Sequence, residues 1–173
     1  LRLREREVFK LEAPDIGQLF HSALSRISKE LQKSKQAWHD LNKDDCKKIT
    51  GETINVLAPK LQKEILLSNS RYHYLKYKLQ QVVERAVLTL SEHARASGFQ
   101  PIGLELPFGP EQPLPPLEFQ LSNGHKMEIV GRIDRVDKGT NQQGILLRVI
   151  DYKSSDKDLN FSDIYYGLSL QML

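Results

Sequence analysis

Two short acidic clusters in apolar surroundings hold the residues of this chain best suited to chemistry: Gly131-Arg132-Ile133-Asp134-Arg135-Val136-Asp137 and Val149-Ile150-Asp151-Tyr152-Lys153-Ser154-Ser155. Side chains at i and i+2 of a strand share a face, so Asp151 and Lys153 project together. One can hold a hard cation while the other meets a phosphate or a water. A second carboxylate, Asp134, ends the strand-like run Met127 to Ile133, and neighbouring strands would bring it close to Asp151. Two carboxylates so placed repel unless a cation or a shared proton lies between them. Oxygen donors of this kind suit Mg²⁺ or Mn²⁺ rather than a thiolate-bound zinc. The chemistry implied is metal-dependent phosphodiester cleavage. A plain Asp–Lys ion pair at a strand end accounts for the same triplet without chemistry.

The elements that position these groups follow from periodicity and punctuation. Ile145 to Ile150 is apolar on both parities, as in a central strand covered on both faces, and charges at its end must be compensated. Lys138 to Gly144 is rich in turn formers and reads as the connecting loop. Upstream, Phe99 to Phe108 and Leu117 to Leu121 read as strands flanking a Pro-rich linker, and Asn123-Gly124 gives a tight hairpin turn into a third strand. The four strands form a meander. Phe161-Ser162-Asp163 then opens a final helix with Tyr165, Leu168 and Gln171.

The first half is helical. Ile16, Leu19, Phe20, Ala23, Leu24, Ile27 and Leu31 recur at helical spacing after the start signal Pro14-Asp15, which predicts a helix to about Leu41. His21 lies on it, four residues after Gly17. A second helical stretch covers roughly Asp44 to Leu67, with Pro59 forcing a kink or break. A third covers about Arg71 to Ser97 and is capped by Gly98.

These segments resemble the RecB-like branch of the PD-(D/E)xK nucleases, and more closely the AddB-type nuclease domains of bacterial AddAB helicase–nucleases. The resemblance rests on Gly17-Gln18-Leu19-Phe20-His21, Gly103-Leu104-Glu105-Leu106-Pro107, the run Gly131 to Asp137, Ile150 to Ser155, and Tyr165 to Leu173. It implies an α/β, restriction-endonuclease-like core: helices, then a mixed sheet of three to four strands, then a helix, with the last strand missing. Residues 1–98 would be its mainly helical part and 99–173 its sheet and final helix. It also implies that His21, Asp134, Asp151 and the Tyr152 carbonyl hold Mg²⁺ or Mn²⁺, and that Lys153 positions the attacking water. Glu105 matches a glutamate near the site in relatives. Gln171 matches a Q-x-x-x-Y glutamine whose tyrosine would fall beyond Leu173. The function implied is a deoxyribonuclease that cuts one DNA strand when broken ends are processed for recombination, beside an AddA-type helicase/nuclease subunit. A catalytically inactive fold kept for DNA binding or scaffolding is the alternative. The family's 4Fe–4S cluster would belong to a longer parent, because its four cysteines do not occur here.

Composition agrees with a globular domain. The chain has 173 residues, 39% hydrophobic and 27% charged, and a net charge of +3, too mild to mark a nucleic-acid binder without a local basic surface. Candidates for such a surface are Lys29, Lys33 and Lys35, and Arg71, Lys76 and Lys78. The single cysteine, Cys46, excludes an internal disulfide framework and points to a reducing compartment, and the resemblance implies that this is the bacterial cytoplasm. No apolar run reaches a membrane span, and no G-x-x-x-x-G-K-[ST] loop offers an ATP site. Ser154 and Ser155 beside Lys153 lack the setting of a Ser–Lys nucleophile. The start without methionine and the stop within a helical pattern predict a piece of a larger protein.

Overall fold

The computed structural model describes residues 13–61, 66 and 69–153. Among these residues three α-helices precede five strands. Helix α1, Ala13–Ser34, buries Leu19, Phe20, Ala23, Leu24, Ile27 and Leu31, the stripe that its periodicity predicts. It stops earlier than the expected Leu41. Lys35 takes a positive φ of 55°, and the Gln36 N–H donates back to the Leu31 carbonyl at 3.0 Å, closing the last turn without a glycine. A short 3-10 turn, Trp38–Asp40, follows and seats Trp38 in the core.

Helix α2, Lys43–Leu57, opens on a reciprocal cap. Asn42 Oδ1 accepts from the Asp45 N–H at 2.9 Å, and Asp45 Oδ2 accepts from the Asn42 N–H at 3.1 Å. The chain breaks at a 3-10 turn, Ala58–Lys60, where Pro59 lacks the N–H an α-helix needs. The rest of the expected stretch, apart from Leu61 and Leu66, lies outside the described residues. Helix α3, Ser70–Ser97, starts at the Asn69 cap and ends at Gly98, whose φ of 67° suits a residue without a Cβ. The faces of the three helices enclose Leu24, Ile27, Leu31, Trp38, Leu41, Ile54, Val83 and Val87.

Strands β1, Gln100–Phe108, β4, Gly131–Asn141, and β5, Gly144–Ile150, form one sheet in the order β1-β4-β5. Strands β2, Leu117–Gln120, and β3, Lys126–Ile129, form a separate hairpin through the expected Asn123-Gly124 turn. All paired strands in both sheets are antiparallel. The four-strand meander is therefore corrected. The run Met127 to Ile133 divides at Val130, and its second part starts a new strand that pairs with β1.

The expected Lys138–Gly144 loop is also mostly strand. β4 continues to Asn141, and only Gln142 and Gln143 form the turn, with Asn141 Oδ1 accepting from the Gln143 N–H at 2.8 Å. Gly139 fits the strand because the Phe99 ring lies 3.2 Å from where its Cβ would stand. Among the described residues β5 is not the covered central strand its apolar sequence predicts. Ile145, Leu147 and Val149 are each about two-thirds exposed, and β4 holds the middle of the three-stranded order. The expected final helix and Gln171 lie in residues 154–173, outside the described residues.

Candidate active site

Strand β4 organises the site. In the β1–β4 register Leu104 faces Arg135 and Leu106 faces Ile133, so Glu105 falls opposite Asp134. On the other side Ile150, the last residue of β5, faces Arg135, and Asp151, Tyr152 and Lys153 follow directly. Glu105 and Asp134 thus stand side by side in the sheet, whereas Asp151 follows the end of β5 and lines a different cavity. Helix α1 adds His21, whose Nδ1 lies 3.2 Å from Asp134 Oδ2.

Asp134 also ties down the segment after β5. Its Oδ2 accepts from the Tyr152 backbone N–H at 2.8 Å. The Tyr152 ring turns inward, edge-on to Phe20 at 6.4 Å and to His21 at 6.0 Å between centroids. That contact restrains the imidazole from the apolar side. Burial pushes the Tyr152 phenol above its ordinary pKa, and the neighbouring Arg135 cation opposes the shift.

A cleft of about 660 Å³ opens over His21 and Asp134, with Glu105 and Arg132 on the sheet side and Gln18, Ser22, Ser25 and Lys29 along α1. A groove of about 780 Å³ runs between α3 and the end of β5, where Asp151 and Lys153 meet Lys78, Arg85, His93 and Arg148 above an apolar floor. Asp151 and Lys153 do project together, as their spacing requires, with Lys153 Nζ 2.6 Å from Asp151 Oδ2. Their side chains are 43% and 35% exposed, so this is a solvated pair rather than the buried one expected of a covered strand.

The structure therefore brings His21, Asp134, Glu105 and the Tyr152 backbone together, and pairs Asp151 with Lys153. Among the described residues no three His, Cys, Asp or Glu side chains converge as a ready-made metal site. The donor types present, an imidazole, carboxylates and a backbone carbonyl, still match a hard divalent cation. They do not match an iron–sulphur cluster, because Cys46 is the single cysteine and is fully buried in the helical core.

Sequence reasoning placed the buried charge one strand away from where it is. Arg135 and Asp137 are fully buried. Asp137 Oδ1 accepts from Arg135 Nε at 2.5 Å, and Asp137 Oδ2 accepts from Arg135 Nη2 at 3.1 Å and from Arg148 Nη2 at 2.8 Å. The two guanidiniums stack on Trp38 at 4.6 Å and on Phe99 at 4.7 Å. This cluster braces the sheet against the helices, so Asp137, though part of the acidic motif, has a structural task. Arg132 and the α1 polar row were also missed. The signal was available, since Arg132 is i−2 from Asp134, and Gln18 and Ser25 are i−3 and i+4 from His21. Among the candidate DNA-contacting residues, Lys29 lines the cleft and Lys78 the groove, whereas Lys33 lies 3.7 Å from Glu30 and Lys76 donates to Asn55 at 2.8 Å.

Comparison with known proteins agrees with this geometry. Residues 1–173 match the PD-(D/E)XK nuclease superfamily. The whole chain is 61% identical to part of one subunit of the ATP-dependent helicase/deoxyribonuclease of Bacillus subtilis (strain 168), and 60% identical to part of the same subunit from Bacillus licheniformis. It is 56% identical to part of the corresponding protein from Geobacillus kaustophilus, which carries the same description. In each case the chain spans about 15% of the relative's length.

Proposed function

Because this chain belongs to the PD-(D/E)XK nuclease superfamily, we propose that it is the nuclease module of an ATP-dependent helicase/deoxyribonuclease. It hydrolyses phosphodiesters in one strand of DNA as broken ends are processed for recombination. An AddA-type subunit is the partner this reading implies, and the compartment is the bacterial cytoplasm. No helix among the described residues is long and apolar enough to cross a membrane. The observation that carries the reading is the junction at Asp134, which joins His21 of α1 to the Tyr152 backbone at the point where Asp151 and Lys153 begin.

His21, Asp134, Asp151 and the Tyr152 carbonyl would hold Mg²⁺ or Mn²⁺, which when bound supplies a Lewis acid and lowers the pKa of a bound water. The chain's own groups do the rest. Asp134 fixes the Tyr152 backbone and so the direction in which the following residues leave the sheet. Lys153, held by Asp151, offers a cation to orient water and to offset the charge gathering on the phosphate. Gln171 is a further contributor from the segment outside the described residues.

A second reading, a nuclease fold that binds DNA without cutting it, is favoured by one observation: the Asp151 carboxylate is paired with Lys153. A cleavage assay on labelled single-stranded DNA with Mg²⁺, with Mn²⁺ and with EDTA separates the two, using the whole protein that carries this chain. Metal-dependent cutting abolished by Asp151→Ala supports the nuclease. Binding without cutting supports the second reading.

A further inference from the structure

We propose that Arg132 binds a DNA phosphate next to the one being cut, and that Glu105 is its positioning residue rather than a metal ligand. This rests on the nuclease reading and assigns a task to a pair that the reading does not use. Arg132 and Asp134 share a face of β4, about 6–7 Å apart along the strand. Glu105 lies opposite Asp134 and therefore diagonal to Arg132, within reach of a long side chain. The contact is made: Arg132 Nη1 donates to Glu105 Oε2 at 3.2 Å.

Two features separate this pair from an ordinary surface ion pair. First, Glu105 has a φ of 53° in the middle of a strand, a conformation that costs a residue with a Cβ about 1–3 kcal/mol and clusters at functional sites. Second, the members differ in exposure. The Glu105 side chain is 22% exposed and Arg132 is 65% exposed, so the carboxylate anchors one corner of a guanidinium whose remaining donors open on the cleft. Among the described residues Glu105 is the only ion-pair partner of Arg132. A planar fork anchored in this way is preorganised for bidentate contact with a phosphate. Lys29 lines the same cleft from α1 and supplies a second positive charge. A Glu105 carboxylate engaged by Arg132 is a weaker candidate for the cation at Asp134.

The test uses the whole protein with Arg132→Ala, Arg132→Lys and Glu105→Gln. Single-stranded DNA binding is measured in Ca²⁺ across a salt series, Mn²⁺ binding by calorimetry, and kcat and KM with Mg²⁺. Arg132→Ala is expected to raise Kd and KM about 10-fold, to reduce the salt slope by about 1, and to leave Mn²⁺ affinity within twofold. Arg132→Lys should restore the salt slope but only part of the affinity, because the ammonium cannot make the two-point contact. Glu105→Gln should weaken DNA binding in the same direction with Mn²⁺ affinity unchanged. A 10-fold loss of Mn²⁺ affinity in Glu105→Gln, or unchanged DNA binding in Arg132→Ala, overturns the proposal. If the wild type does not cut DNA at all, the nuclease reading fails, and the Ca²⁺ binding measurements still decide the role of Arg132.

Discussion

The carboxylate of Asp134 stands 3.2 Å from the His21 imidazole while the same oxygen accepts the Tyr152 N–H at 2.8 Å, so one side chain joins α1, β4 and the segment after β5. Replacing it removes more than a charge. Asp134→Ala is expected to lower nuclease activity and Mn²⁺ affinity by about 100-fold or more, beyond what is usual for groups that only orient a ligand. Amide hydrogen exchange at Tyr152 should accelerate as well, because its N–H loses its acceptor. Normal activity with normal exchange would remove Asp134 from the site.

Lys153 tests the division of labour at the other end. Its ammonium is 2.6 Å from Asp151, so Lys153→Ala frees that carboxylate. Cleavage should fall about 10²-fold, as for loss of one charge-stabilising donor. Calorimetric Mn²⁺ affinity should hold steady or rise, since a competing cation is gone. A variant that no longer binds Mn²⁺ would contradict the role given to Lys153.

The pattern of what could be read in the sequence follows from which forces are local. Helix periodicity marked the buried face of α1 because the apolar stripe is a property of spacing alone. The helix end at Lys35 was invisible, since a lysine gives no sign that it will adopt a positive φ. The β4 extension was hidden by Gly139, which signals a turn in sequence but lies under Phe99 in space. Strand order is a tertiary property. An apolar run such as Ile145 to Ile150 reads identically at a centre or an edge, and β5 is exposed among the described residues. At the site, the i, i+2 rule gave the Asp151–Lys153 contact, while the Asp134–His21 contact depended on resemblance because nothing local links them.

Asp137 should prove structural. Its carboxylate is fully buried and receives both Arg135 and Arg148, and removing one member of a buried pair leaves an uncompensated charge. Asp137→Ala is expected to destabilise the fold by about 3–5 kcal/mol, read as a lower denaturant midpoint. Where the protein still folds, Mn²⁺ binding should persist. A midpoint unchanged from wild type would show that solvent reaches the cluster.

Tyr152 sets the behaviour at high pH. Its hydroxyl is buried with no partner in good hydrogen-bond geometry among the described residues, and burial raises its pKa against the opposing charge and weak hydrogen bonding of Arg135. A folded pKa above the unfolded value of about 10 means that the unfolded chain releases the phenol proton first. The contribution to stability is full below about pH 10 and is lost as pH rises towards the folded pKa. Cys46 acts in the same sense from about pH 8.5, its thiol pushed up first by burial and then by the Asp45 charge. Tyr152→Phe should therefore be within about 1 kcal/mol of neutral at pH 7, since it deletes a poorly satisfied buried hydroxyl while keeping the ring against Phe20 and His21. Above about pH 10 its denaturant midpoint should fall less steeply than that of the wild type, and Cys46→Ala should instead flatten the curve from about pH 8.5 upwards. Parallel wild-type and Tyr152→Phe curves above about pH 10 would mean that the hydroxyl is solvated, and a large loss at pH 7 would mean that it makes a hydrogen bond that holds the fold.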